Sequence, residues 1–332
     1  MKRTGNLIEM VADLDNIRYA FYLASKGRHK KREVQQWLLR DTEKEFIRMQ
    51  NDFLTANIKV GDYHFFKVYE PKERLIYASA FEERVIHHAL MRVCSPVFEQ
   101  FQISDSYACR VGKGQYKALE KARKNSQNAE WFVKMDICKY FDSIDHKILK
   151  SLLRRRIKDV FVLNAFDRII DSYHSVLRGA GKGLPIGNLT SQYFANFYLG
   201  FADHFIKEKL RVKYYVRYMD DMVIWGNDKT ELLDFYQKIK AFLAENLQME
   251  LHPICHNKTV EGIPFLGYRI MKTHLRLAIK SKKRYLKKLL EYKKFYDYDI
   301  WTESEYYSHA TPLAAFVLKA DTLKLRAAIQ KK

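Results

Sequence analysis

No apolar run in this chain approaches the length needed to cross a bilayer, and the N-terminus has no basic-then-apolar leader pattern. A soluble, cytoplasmic protein is therefore expected. Cysteine is scarce: Cys94, Cys109, Cys138 and Cys255 lie too far apart for the paired spacing of zinc or redox sites. Buried free thiols in a reducing compartment are the expectation. Six prolines and 13 glycines are too few and too scattered for a flexible tether, and there is no internal repeat or low-complexity segment. One continuous folded unit is the simplest reading. Acidic residues are also in short supply, with 39 Asp and Glu against 59 Lys and Arg and a formal charge of +20. Such a surplus suits a polyanion, with nucleic acid ahead of an anionic membrane surface. What is abundant is aromatic: 22 Tyr and 21 Phe, enough to fill a core and to stack on bases or sugars.

Hydrophobic spacing predicts helices over Asn6 to Ala24 and Thr42 to Asn57, separated by the basic run SKGRHKKR at Ser25 to Arg32. That run is either a solvated loop or a phosphate contact. The strand-like segments YHFFKVYE and RLIYAS, flanking Pro71 and Lys72, then predict a hairpin from Tyr63 to Ser79. A helix follows over Glu83 to Phe98, where His87 and His88 lack a third ligand at metal spacing and read as structural. A strand is expected at Trp131 to Ile137, with helices near Asp145 to Arg156, Phe161 to Val176 and Thr190 to Leu210. Beyond these come a hairpin at Tyr214 to Trp225, a helix at Thr230 to Asn246, and short strands at Met249 to Leu251 and Pro264 to Ile270. A basic helical tail begins near Lys280. This mixed order implies an α+β fold with an antiparallel sheet.

Chemistry concentrates in two segments. In VRYMDDMVIWG, Val216 to Gly226, the adjacent carboxylates Asp220 and Asp221 interrupt two apolar strands where a short hairpin would normally place Asn-Gly or Asp-Gly. Two carboxylates between buried strands repel unless a cation lies between them, and breaches of local preference cluster at functional sites. In WFVKMDICKYFDSIDHKIL, Trp131 to Leu149, Asp136 ends an apolar strand, and Ser143 or Asp145 is available to cap the next helix. Oxygen ligands of this kind suit Mg²⁺, which keeps several waters and binds one or two carboxylates together with substrate phosphates.

These two segments resemble the palm motifs of reverse transcriptases, and other blocks of that family can be placed in order from about residue 63 to 270. KERLI at Lys72 to Ile76 resembles the fingers motif, with Lys72 and Arg74 on the incoming triphosphate. SYACRVGKGQYKAL at Ser106 to Leu119 resembles the second block, and GLPIGNLTSQYFANFYL at Gly183 to Leu199 the nucleotide-pocket motif. Lys258 in HNKTV falls where the family has a basic residue near the leaving phosphates. Phe265, Leu266, Gly267 and Tyr268 in FLGYRI resemble the primer grip.

The resemblance implies a right-hand polymerase fold. Residues 1–57 would be an N-terminal helical extension, 58–112 and 146–185 fingers, 113–145 and 186–270 palm, and 271–332 a basic helical thumb. Two Mg²⁺ ions, or Mn²⁺ in their place, would lie on Asp136, Asp220 and Asp221 with the Ile137 carbonyl as an extra ligand. Phe141 would lie under the sugar and reject a 2′ hydroxyl. The pocket motif departs from the usual Gln-Gly and Ser-Pro of retroviral and intron enzymes, having Ile186-Gly187 and Ser191-Gln192. That departure resembles reverse transcriptases of diversity-generating retroelements, bacterial and phage systems that copy a template RNA with frequent errors at adenines. The compact length, without an extension for a maturase and endonuclease, agrees with it. Template RNA, a cDNA/RNA hybrid, deoxynucleoside triphosphates and a basic ring-forming accessory protein are the implied partners. A group II intron-like or defence-associated enzyme, and an inactive RNA-binding scaffold, remain alternatives.

Overall fold

The computed structural model describes residues 3–69 and 73–330. Four helices open the chain, α1 (Ile8–Val11), α2 (Leu14–Ser25), α3 (Arg32–Leu38) and α4 (Thr42–Leu54), followed by strands β1 (Tyr63–Val68) and β2 (Arg74–Ser79). Helices α5 (Phe81–Phe101) and α6 (Gln115–Gln127) precede β3 (Trp131–Asp136). Then come α7 (Tyr140–Ser143), α8 (His146–Arg154), α9 (Val160–Asp171) and α10 (Leu189–His204), the last running into a π-helical turn at Phe205–Lys209. Strands β4 (Tyr214–Tyr218) and β5 (Asp221–Gly226), helix α11 (Lys229–Leu247) and strand β6 (Cys255–Lys258) follow. The chain ends with β7 (Ile263–Phe265), β8 (Tyr268–Ile270), β9 (Leu275–Leu277), α12 (Ile279–Asp297), α13 (Glu303–Leu318) and α14 (Leu323–Gln330).

The expected single helix from Asn6 is two, because the Asp13 carboxylate accepts hydrogen bonds from the Asp15 and Asn16 amides and starts α2 afresh. The basic run is a loop through Lys31, but Arg32 opens a helix absent from the sequence reading, which buries Val34 and Trp37. Of the two capping candidates, Asp145 caps α8, accepting from the Ile148 amide at 3.0 Å. Helix α9 stops at Asp171 rather than Val176, where the following loop turns back so that the Ser175 amide donates to Lys182. The strand expected at Met249 to Leu251 is reduced to a single bridge between Leu251 and Ile137. Helix α6 and strands β6 and β9 are not expected from the sequence for physical reasons: α6 buries mainly small residues, β6 is exposed throughout, and β9 is only 3 residues long, so none shows an apolar period.

The chain divides into two compact units, one of residues 1–104, 137–210 and 238–252, the other of 105–136, 211–237 and 253–332. The first is mostly helical. Its long α5 buries Val85, Ile86, Ala89, Leu90, Cys94 and Phe98, and Phe98 meets Phe166, Phe194 and Phe197 edge-on or tilted. His87 on that helix is buried 3.4 Å from Glu83. The second unit holds an antiparallel four-stranded sheet of order β4-β5-β3-β6 and a three-stranded sheet of order β7-β8-β9. Phe132, Val216, Val223 and Trp225 from the larger sheet share a core with Leu119 of α6 and with Ile263, Phe265 and Tyr268. All four cysteines are free. Only Cys94 is buried, whereas Cys109 and Cys255 are exposed, contrary to the expectation of buried thiols. Among the described residues no helix is long and apolar enough to cross a membrane.

Candidate active site

Strand β3 pairs with β5 in a register that begins with Trp131 opposite Gly226 and ends with Asp136 opposite Asp221. Residues directly opposed in an antiparallel pair point to the same face with Cβ atoms about 4.5–5.5 Å apart, so these two carboxylates confront each other. Asp221 is also opposite Tyr218 of β4. The hairpin tip is therefore Met219 and Asp220, and Asp221 is already the first residue of β5, which corrects a reading that places both acids at the turn. Met219 has φ of 56°, at the first tip position where a two-residue turn ordinarily takes glycine. The fully buried Arg217 supports it, its Nη1 donating to the Met219 carbonyl at 3.0 Å.

Lys134 lies two residues before Asp136 on the same face of β3, and its Nζ is 3.0 Å from Asp221 Oδ1. That oxygen is buried and receives no well-directed hydrogen bond, so the contact is an ion pair rather than an aligned hydrogen bond. Burial pushes the Asp221 carboxyl up to about 7; Lys134 opposes the shift, while Asp136 and Asp220 add to it. Neither Lys134 nor Arg217 is singled out by the sequence reading. The available signals are a lysine in phase with Asp136 on an alternating strand, and a charge in the middle of the apolar YYVRY segment.

Among the described residues, no three His, Cys, Asp or Glu side chains form a closed metal-binding group. The structure brings Asp136 and Asp221 together and leaves Asp220 in the adjoining turn. Two opposed hard-oxygen donors, one with a buried oxygen lacking a hydrogen bond, fit a divalent ion of the Mg²⁺ type, which completes its shell with water and substrate phosphates. Ile137, next in the chain, is buried and bridges to Leu251.

The nucleotide-pocket candidates belong to the other compact unit. There the Tyr77 amide of β2 donates to the Ile186 carbonyl at 2.9 Å, fastening the pocket motif to the strand that carries Arg74. Gly187 has φ of 120°, and a Cβ there would meet Ile76 Cγ2 at 2.8 Å, so only glycine fits this approach. Ile186 is half-buried, Gln192 is exposed on α10, and Arg74 is exposed on β2. Phe141 in α7 is half-buried beside Tyr140, and its carbonyl accepts from the Leu184 amide at 2.8 Å. Lys72 lies outside the described residues.

Lys258 does not join the carboxylates. It pairs with Trp131, at the opposite end of β3 from Asp136, and its ammonium lies 5.4 Å from the Trp131 ring centroid. Five residues of strand separate the two ends by roughly 17 Å. In the segment read as a primer grip, Phe265 and Tyr268 are buried in the core, and Leu266 and Gly267 form the β7-β8 turn, both at positive φ. Gln115 donates to the Leu266 carbonyl at 2.9 Å and Ala278 to that of Gly267 at 3.1 Å, so this turn is held from two sides.

Residues 71–270 match the family described as reverse transcriptase (RNA-dependent DNA polymerase). The chain belongs to the reverse transcriptase family. It is 22% identical over 258 residues to the protein YkfC of Escherichia coli K12, covering 63% of this chain and 67% of that protein. It is 25% identical over 192 residues to the group II intron-encoded protein LtrA of Lactococcus lactis, covering 53% of this chain but 31% of that protein. The chain spans about two thirds of YkfC and about a third of LtrA. A structure of apo telomerase from Candida tropicalis, truncated from its C-terminal domain, matches with a TM-score of 0.50 and 10% identity, covering 66% of this chain and 55% of that one. The fold is that of right-hand polymerases, with helices and antiparallel sheets as the sequence reading expects.

Proposed function

We propose that this reverse transcriptase makes error-prone cDNA from a template RNA as the polymerase of a diversity-generating retroelement. The observation that carries the polymerase activity is the opposed Asp136–Asp221 pair, with Asp220 beside it in the turn. The subfamily rests on the pocket motif, with Ile186-Gly187 and Ser191-Gln192.

Asp136 and Asp221, with Asp220, would hold two Mg²⁺ or Mn²⁺ ions. When bound, such ions lower the pKa of a primer 3′ hydroxyl and stabilise the attacking and leaving oxygens of an in-line displacement at the α-phosphorus. The chain's own residues then position the substrate. Lys72 and Arg74 neutralise the triphosphate, Arg being suited to bidentate phosphate contacts. Phe141 lies under the sugar, and Ile186 offers the incoming nucleotide an apolar contact where the commoner glutamine offers a hydrogen bond. Lys258, placed at the far end of β3, enters no step of this reading. Residues 58–112 and 146–185 act as fingers, 113–145 and 186–270 as palm, and 271–332 as a thumb whose lysines follow the nucleic acid backbone. A basic ring-forming accessory protein is the partner this reading adds.

A second reading, a group II intron-like enzyme acting on its own intron RNA, is favoured by the similarity to LtrA. Primer extension on an RNA template, with the cDNA sequenced, tests activity and subfamily together. Errors concentrated opposite template adenine support the retroelement reading, accurate copying supports the intron-like one, and no extension removes both.

A further inference from the structure

The carboxylates of Asp136 and Asp221 face each other on adjacent strands, with Asp220 next in the chain, and like charges this close repel. A protein that folds before it meets metal or nucleotide needs something in that place. Lys134 is placed to supply it. It sits two residues upstream of Asp136 on the same face of β3, and its ammonium reaches forward along the strand, roughly 7 Å, to stand 3.0 Å from Asp221 Oδ1. The oxygen it meets is buried and receives no well-directed hydrogen bond, so the lysine is the cation beside a carboxylate oxygen that water does not reach. The Lys134 side chain is 20% exposed, which leaves a long flexible stem a route towards solvent.

We propose that Lys134 is the internal counterion of the polymerase site, occupying Asp221 Oδ1 in the metal-free protein and yielding it to a divalent ion, so that it sets the metal concentration at which the site fills. The inference rests on the reading of Asp136 and Asp221 as metal ligands. A doubly charged ion between two carboxylates gains more Coulomb energy than a single ammonium at one of them, so exchange runs toward the metal once its concentration suffices. By linkage, whatever the ammonium contributes to the metal-free state is subtracted from the apparent metal affinity. A lysine serving only to stabilise the sheet would affect metal-free and metal-bound protein alike and leave the affinity unchanged.

The test is thermal unfolding of the full chain titrated with MnCl₂ and, separately, MgCl₂, without nucleic acid or nucleotide, in wild type, Lys134→Met, Lys134→Arg and Asp221→Asn. Lys134→Met is expected to melt below wild type in EDTA and to reach half-saturation at a metal concentration about fivefold lower or more, the lower bound of ordinary coupling between sites. Lys134→Arg should follow wild type. Lys134→Met with the wild-type midpoint, or with weaker metal binding, overturns the proposal. Should that variant fail to fold, wild type answers alone: acetylation of Lys134, followed by mass spectrometry, should quicken when Mn²⁺ is added, and an unchanged rate overturns the proposal. A wild type whose melting ignores both metals, or responds just as Asp221→Asn does, removes the metal-site reading itself and this inference with it.

Discussion

Arg217 holds the carbonyl of Met219, two residues ahead, through a 3.0 Å hydrogen bond from a side chain with no exposure to solvent. The bond ties a charged group inside the sheet to the turn that presents Asp220 and starts the strand bearing Asp221. Arg217→Met keeps the bulk and removes the donor. We expect a stability loss of about 1–3 kcal/mol in urea unfolding, from a carbonyl left without its partner. Single-turnover extension should slow by roughly 100-fold through misplacement of the carboxylates. Full activity in a destabilised variant would show that the turn keeps its geometry unaided.

The carboxylates themselves give the plainest test. Asp220→Asn together with Asp221→Asn should abolish metal-dependent cDNA synthesis while RNA binding persists. A loss of ~10³ in rate corresponds to roughly 4 kcal/mol of transition-state stabilisation. Extension by the double variant at the wild-type rate would sink the assignment.

Phe141 is half-buried beside Tyr140, and the proposed role as a guard against ribonucleotides predicts that Phe141→Ala admits them. Competition between dCTP and CTP in single-turnover extension measures this. Unchanged discrimination in a folded variant returns Phe141 to a core aromatic.

Ile186 is half-buried, and its carbonyl is tied to Tyr77, so the side chain can change without breaking the backbone link. Selection by shape and apolar contact is limited to ~1–3 kcal/mol, whereas a site that hydrogen-bonds rejects analogues far more strongly. Ile186→Gln is therefore expected to lower misincorporation, most of all opposite template adenine. Equal error spectra from one RNA template would make the substitution structural, and a uniform drop at all four bases would remove the adenine part.

His146 supplies a pH dependence away from the carboxylates. Its Nε2–H donates to the Gly183 carbonyl at 2.7 Å. Burial lowers its pKa, partly offset by that bond and by Asp171, with His174 and Lys150 lowering it further. A folded-state pKa below the unfolded value of about 6.5 means the unfolded chain binds the proton more readily. Stability is thus complete above that value and is lost as pH falls through it. His88, also lowered by burial and then by His87, acts in the same direction. Urea unfolding between about pH 7.5 and 5 should show a falling midpoint, with a shallower slope in His146→Gln. An equal slope would place the dependence elsewhere.

Much of the fold was legible because its elements carry a local pattern. Short runs rich in aromatic and β-branched residues mark the hairpins at Tyr63 to Ser79 and Tyr214 to Trp225, and apolar spacing marks α5 and α10. The elements missed are those whose residues carry no period. Strand β6 is exposed along its whole length and exists through its bonds to β3, and α6 buries alanine, serine and asparagine as readily as leucine. The boundary between α1 and α2 was missed for a local reason, since Asp13 can sit within a helix or cap one, and composition does not distinguish the two.

By itself, the sequence determined which residue types were available for chemistry: Asp136 at the end of an apolar strand, Asp220 and Asp221 between two more, a surplus of positive charge, and a pocket motif with Ile186 in place of glutamine. Only the tertiary structure decided which of them meet. Register on β3 set Asp136 opposite Asp221 and put Lys258 at the other end, beside Trp131. The turn took Met219 and Asp220 and left Asp221 in the strand, within 3.0 Å of Lys134. The reason is that strand pairing is cooperative and long-range. A shift of one residue would turn every side chain of the strand to the other face, and the burial of the whole sheet, rather than any local preference, selects the register that is found.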